Sequence, residues 1–312
     1  MAAGHHDADF PAAPTHVGRR AVMSLSLAAA LSRGTAAAVT LAETTHWDIE
    51  SAEGNRHRIL LARPSSPPPP GGYPVVFLLD GSTTFPIATA FAQQQEKRQG
   101  AARLAPALLI GMTYPDGAFE TPGGPFSRDR DYTLTGLKAP DGTGQADAFL
   151  DFISGRVIPE IASQFPIDRR QLSLFGHSFG GLCALHSFLT RPAMFGTVIA
   201  ASPSIWWQEG VVLQEEQRYA ASLPPEAAGQ RLLLTVGSLE QRTPEQIAMM
   251  SPERQAAARR RLMIGKVQDL AARMASLGPR GPRVDFVLFD GENHGSVVPP
   301  AVSRAMRFAL EV

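Results

Sequence analysis

Residues 172–181 read L-S-L-F-G-H-S-F-G-G, and Gly176, Ser178 and Gly180 make a G-x-S-x-G pattern within them. A serine set on a sharp strand-to-helix turn needs neighbours without side chains, because the backbone there passes close to adjacent elements. The turn exposes the hydroxyl and brings it to a helix N-terminus, whose unpaired amides favour developing negative charge. An apolar run before the motif and Leu182, Ala184 and Leu185 after it supply that strand and helix. The chemistry predicted is attack on an acyl carbon by Ser178. The bare pattern also arises by chance, and the flanking elements make it specific.

A serine hydroxyl is a poor nucleophile without a base. Of the eight histidines, His5, His6 and His16 lie in the N-terminal segment, and His46 and His57 precede the core. His177 sits inside the elbow, where it packs or lines the pocket, and His186 falls in the following helix. His294, in D-G-E-N-H-G at 290–295, follows the last strand-like run, where a loop at the carboxyl edge of a sheet can present a base. An acid that fixes the imidazole tautomer is expected after the preceding strand. Glu240 is the first carboxylate there; Glu245 and Asp290 are its rivals, and helix capping is its non-catalytic reading. Two backbone donors should face the oxyanion. One is the amide of Phe179; the other, from the loop D-G-S-T at 80–83, is the amide of Ser82, with Gly81 permitting the tight turn.

Short β-rich runs carry these residues. Strands are predicted at 57–62, 75–79, 107–112, 172–175, 198–201, 232–236 and 284–289, and helices over 146–165, 181–189 and 252–277. Unbroken apolar runs such as 75–79 mark strands buried on both faces. Alternation with helices implies an α/β class, a mainly parallel sheet with helices on both faces. No repeat or linker divides residues 39–312, which read as one domain.

The chain has 312 residues, 29 basic and 29 acidic, and is 44 % apolar. That excludes a collagen, a coiled coil, a disordered tail and a disulfide scaffold, and a formal charge of zero argues against nucleic-acid binding. Cys183, the single cysteine, can form no intramolecular disulfide. With no H-E-x-x-H, clustered cysteine and histidine, dinucleotide fingerprint or phosphate loop, neither metal nor cofactor is expected. In residues 1–38, Arg19 and Arg20 precede an apolar run at 21–31 and a small-residue stretch ending at 36–38. This predicts a twin-arginine export signal cut after Ala38, hence a periplasmic or otherwise exported protein; the competing reading is an alanine-rich cytosolic extension. The run is too short for a membrane anchor, and no other window approaches that length.

Further motifs run through residues 46–310: F-L-L-D-G at 77–81, A-L-L-I-G-M-T-Y at 107–114, R-D-R-D-Y-T at 128–133 and A-D-A-F-L-D-F-I at 146–153. G-H-S-F-G-G-L at 176–182, A-S-P-S-I-W-W at 201–207, V-G-S-L-E-Q at 236–241 and E-N-H-G-S-V at 292–297 follow. Together they resemble the putative-esterase (esterase D-like) family of α/β-hydrolases, and within it the bacterial ferri-siderophore esterases. The resemblance implies an α/β-hydrolase fold with Ser178, Glu240 and His294 at the catalytic positions, or a Ser178–His294 dyad that dispenses with the acid. It also implies hydrolysis of the trilactone backbone of a tris-catecholate siderophore. Such an anionic substrate calls for cations in the pocket. Arg128 and Arg130, in a glycine-rich loop at 121–131, are the candidates, with Trp206 and Trp207 stacking on catechol rings or on an arginine. The plain alternatives are surface arginines and core tryptophans. A basic helix with Arg254, Arg259, Arg260, Arg261 and Lys266 reads better as a solvated face than as an anion guide. Competing functions are a general carboxylesterase, a thioesterase like the S-formylglutathione hydrolases, and an exported binding protein on a hydrolase scaffold.

Overall fold

The all-apolar runs become the centre of one sheet, because each such strand must bury both faces. The strands are β1 (Thr44–Glu50), β2 (Arg56–Ala62), β3 (Tyr73–Leu78), β4 (Leu108–Thr113), β5 (Ile167–His177), β6 (Thr197–Ala201), β7 (Arg231–Gly237) and β8 (Arg283–Phe289). Their spatial order is β1-β2-β4-β3-β5-β6-β7-β8. β1 with β2 and β2 with β4 pair antiparallel, and every other neighbouring pair is parallel. This computed structural model describes residues 41, 43–96, 104–115, 127–136 and 138–311. The export reading at 1–38 lies outside them, as do 121–126 of the glycine-rich stretch.

The helices are α1 (Gly81–Glu96), α2 (Ser127–Tyr132), α3 (Ala146–Phe152), α4 (Ile158–Gln164) and α5 (Phe179–Thr190). Then come α6 (Val211–Ala221), α7 (Pro244–Ala248), α8 (Pro252–Arg261), α9 (Met263–Ala275) and α10 (Val298–Leu310). One sheet face packs Val75, Phe77, Leu174 and Leu234 with Ile161 of α4, Leu182 of α5 and Val267 of α9. The other packs Val76, Leu78, Phe175 and Leu233 with Phe85 of α1 and Met306 of α10. Each such buried side chain contributes roughly 1.5–3 kcal/mol relative to exposure. Alternate residues of one strand thus fasten helices on opposite faces, which holds the carboxyl edge rigid. Among the described residues no helix is long and apolar enough to cross a membrane.

Three expectations change. The helix expected over 252–277 breaks at Leu262, whose backbone turns left-handed (φ 32, ψ 54). α9 buries Met263, Val267, Leu270 and Met274, whereas no described side chain of the arginine-rich α8 is fully buried. Gly81 and Ser82 are not loop residues but the first turn of α1. Arg128 and Arg130 stand on α2 rather than in a loop. β1, α6, α7 and α10 extend the expected set.

Candidate active site

Strands β3, β5 and β6 each leave the sheet through a non-glycine residue in the left-handed region: Asp80 (φ 55), Ser178 (φ 58) and Ser202 (φ 44). Each costs of order 1–3 kcal/mol, so the surroundings must enforce it. Around Ser178 they do. Its amide donates to the Ala201 carbonyl at 3.0 Å, and its carbonyl accepts from Leu182 and Ser204 at 2.9 and 3.1 Å. Gly176 is required by contact: a Cβ there would lie 2.0 Å from the Gly180 carbonyl oxygen. Ser178 is the residue before α5, so its hydroxyl stands at the free N-terminal turn of that helix.

His294 Nε2 lies 3.0 Å from Ser178 Oγ, and His294 Nδ1 lies 2.6 Å from Glu240 Oε2. The other carboxylate oxygen, Oε1, accepts from the Ser202 hydroxyl at 2.5 Å and the Gly237 amide at 2.7 Å. Glu240 is 1 % exposed in its side chain. Burial pushes its pKa up, but the hydrogen bonds from His294, Ser202 and Gly237 outweigh it and hold the carboxyl below its usual value. An ionised Glu240 therefore accepts Nδ1–H and leaves Nε2 with its lone pair toward Ser178. Of the rivals, Asp290 instead takes a bond from the Ser238 hydroxyl at 3.2 Å, and Glu245 is an exposed residue of the first turn of α7.

Phe179 opens α5, and Gly81 and Ser82 open α1, so none of the three amides has a carbonyl four residues back within its helix. Gly81 is fixed by contact with β4, since a Cβ would meet the Met112 nitrogen at 2.8 Å. The amide of Asp80 is already donated to the Tyr132 hydroxyl at 3.2 Å. The His177 ring sits 4.6 Å from that of His294. Burial, helped by His294 and Arg128, pushes its pKa down to about 3, so it stays neutral.

The cavity over Ser178 has a volume of about 330 Å³, and its walls include Arg128, Phe179, Ser204, Trp206, Arg261 and His294. Arg128 lines it but gives its charge to Asp80, in a pair 19 % and 13 % exposed. Arg130 does not line it. Its guanidinium holds Asp131 at 2.6 and 3.0 Å and Asn55 at 2.7 Å, which makes it a structural arginine. The tryptophans divide in the same way. Trp206 faces the cavity, whereas Trp207 is buried, donates Nε1–H to the Leu134 carbonyl at 2.8 Å and packs edge-on to Phe179. Ser202, Ser204 and Asp80 carry no chemical signature of their own in the sequence, although they stand in A-S-P-S-I-W-W at 201–207 and F-L-L-D-G at 77–81. Ser204 Oγ is 3.5 Å from Ser178 Oγ. Among the described residues no group of three or more histidine, cysteine or acidic side chains is placed to hold a metal ion.

A family model described as Putative esterase matches residues 51–269. The chain is 34 % identical over 290 residues to the ferri-bacillibactin esterase BesA of Bacillus subtilis (strain 168), covering 89 % of this chain and 93 % of that one. It is 32 % identical over 252 residues to the siderophore enterobactin esterase of Emericella nidulans, covering 75 % and 80 %. The fold is similar to the crystal structure of the BES protein from Bacillus cereus, with a TM-score of 0.74 and 29 % identity over 89 % of this chain and 99 % of that one.

Proposed function

Since the chain belongs to the putative-esterase family of α/β-hydrolases, we propose that it is a serine esterase that opens the ester backbone of a siderophore. The observation that carries this is the unbroken line from Glu240 through His294 to Ser178, with bonds of 2.6 and 3.0 Å. In this reading Ser178 Oγ attacks the ester carbonyl as His294 Nε2 takes its proton. Glu240 holds Nδ1–H and stabilises the imidazolium. The amides of Phe179 and of Ser82, beside Gly81, meet the oxyanion. His294 then returns the proton to the leaving alkoxide, and water repeats the sequence on the acyl-enzyme. Ser202 and the Gly237 amide support the reading, because they fix Glu240 from behind. The complete line also argues against a mere binding protein, which would have no use for it.

The relatives named as ferri-bacillibactin and siderophore enterobactin esterases favour a catecholate trilactone as substrate. Incubating purified protein with free and ferric tris-catecholate trilactones, followed by product chromatography, tests this. Linear and monomeric hydroxy-acid products are expected from wild type and none from Ser178→Ala. Cleavage of short-chain esters or thioesters alone would make it a general carboxylesterase or thioesterase. Residues 1–38 are proposed as an export signal that places the enzyme in the periplasm. Fused to a reporter active only outside the cytoplasm, they should give signal, which Arg19→Lys with Arg20→Lys should remove.

A further inference from the structure

The cavity over Ser178 shares Glu240, Arg261 and His294 with a second one of about 570 Å³. The turn after β7, the α7–α8 region and Asn293 in the loop after β8 supply the second cavity's remaining walls, with Arg242 and Arg254 among them. Among the described residues, Arg242, Arg254 and Arg261 form no ion pair, in contrast to Arg128 on Asp80 and Arg130 on Asp131. Arg261 lies over the Trp206 ring, 4.9 Å from its centre, so it reaches from the second cavity into the first. Among the described residues of either wall the one acid is Glu240, and both its oxygens are committed to His294, Ser202 and Gly237. The second cavity therefore keeps a net positive lining. It is also partly apolar: Leu239 and Leu262 line it and are 63 % and 40 % exposed. Uncompensated guanidinium groups beside exposed aliphatic surface suit a flat ring that carries anionic oxygens.

We propose that this second cavity is an anion-selective subsite in which Arg242 and Arg254 hold an aromatic arm of the substrate, bearing phenolate or catecholate oxygens, away from the ester being cleaved. The inference rests on the esterase reading of Ser178 and deepens it. Charge recognition belongs to α8 and the turn after β7, not to α2. It also gives a physical reason for the break at Leu262, which carries Arg261 to the wall common to both cavities.

The test uses the full chain and a disulfonated catechol as inhibitor of neutral short-chain ester hydrolysis. In Arg242→Gln with Arg254→Gln, the inhibition constant should rise about tenfold or more beyond any change in kcat/KM for the neutral ester. Added salt should weaken inhibition more steeply in wild type than in this variant, and the double lysine variant should fall between them. Equal inhibition constants in wild type and variant, or no inhibition of wild type, overturn the subsite. A weakened inhibitor with no trilactone cleavage by wild type would keep the subsite and remove the siderophore reading. Trilactone cleavage with equal KM in wild type and variant would do the reverse.

Discussion

The guanidinium of Arg128 closes on Asp80 through two hydrogen bonds, Nε to Oδ1 at 2.6 Å and Nη2 to Oδ2 at 3.0 Å, and gives a third to the His177 carbonyl at 3.0 Å. This ties the exit of β3 to the residue before Ser178. Burial pulls the Arg128 pKa down, but the Asp80 charge and hydrogen bonds outweigh it and raise it, so the pair is ionic. Removing one partner leaves the other charge largely buried and alone. Arg128→Ala is therefore expected to cost roughly 3 kcal/mol, the low end for a broken buried pair because some solvent reaches it. Thermal unfolding checks the loss. Activity should fall alike on neutral and anionic esters, since the elbow itself is disturbed. Unchanged stability with a loss confined to anionic esters would show that Arg128 binds substrate.

Glu240→Gln tests the acid more sharply than its removal. Ser202 and the Gly237 amide both donate to Oε1, so the glutamine oxygen is drawn to that side. The amide nitrogen then faces His294 Nδ1, donor against donor, and the imidazole moves to the tautomer that protonates Nε2. A loss in kcat on the order of 10³–10⁴ is expected, as for a triad held in the wrong tautomer. A loss below tenfold would mean that Ser178 and His294 work as a dyad.

How much of this was legible depends on where the determinants lie. The central strands and the positions of Ser178, His294 and Glu240 follow from local signals: apolar runs, glycines around a serine, and the first carboxylate or histidine past a strand end. α1 was hidden because D-G-S-T at 80–83 has turn composition and Pro86 interrupts the helical pattern, yet close contact of Gly81 with β4 fixes the helix there. β1 was hidden because it is an edge strand of mixed polarity, held by pairing with β2 and by Asp48 to Arg56 and Arg58 at 3.0 and 2.7 Å. Which arginine is free is a fact of partners. R-D-R-D at 128–131 placed two acids beside two arginines, but only the fold brings Asp80, 48 positions away, onto Arg128.

Gly176→Ala should disable the elbow without touching Ser178, His294 or Glu240. Its new Cβ would run into the Gly180–Gly181 peptide, with the Gly180 carbonyl oxygen at 2.0 Å and its carbon at 2.2 Å, and backbone cannot swing away as a side chain can. A cost on the order of 3 kcal/mol and near-complete loss of esterase activity are expected, read by urea unfolding and ester turnover. Gly155→Ala is the control, because nothing lies within 4 Å of its added Cβ and the helical turn there accepts alanine. Comparable losses in both variants would mean that crowding at the elbow is not the cause.

The buried His186 makes stability depend on pH. Its Nδ1 lies 2.9 Å from both oxygens of Glu215, and its Nε2 lies 3.2 Å from Asp147 Oδ1. Both ring nitrogens can donate only in the cation. Burial alone would lower the pKa, but the bonds and charges of Glu215 and Asp147 outweigh it and raise it above 6.5. Below pH 6.5 the imidazole is charged in folded and unfolded chain alike, so the gain from the two carboxylates is fully present. As pH climbs through the raised folded value, the folded chain gives up the proton and that gain is lost. His177 and His57 act in the opposite sense. Burial lowers both, His177 to about 3, so they resist protonation and cost stability as pH falls below 6.5. The total curve therefore mixes opposing groups, and a variant must isolate one of them. The gap in unfolding free energy between wild type and His186→Gln should shrink by on the order of 1 kcal/mol between about pH 6 and pH 9, measured in urea. A gap that stays flat or widens with pH would show that His186 is neutral in the fold and that its contacts do not hold a cation.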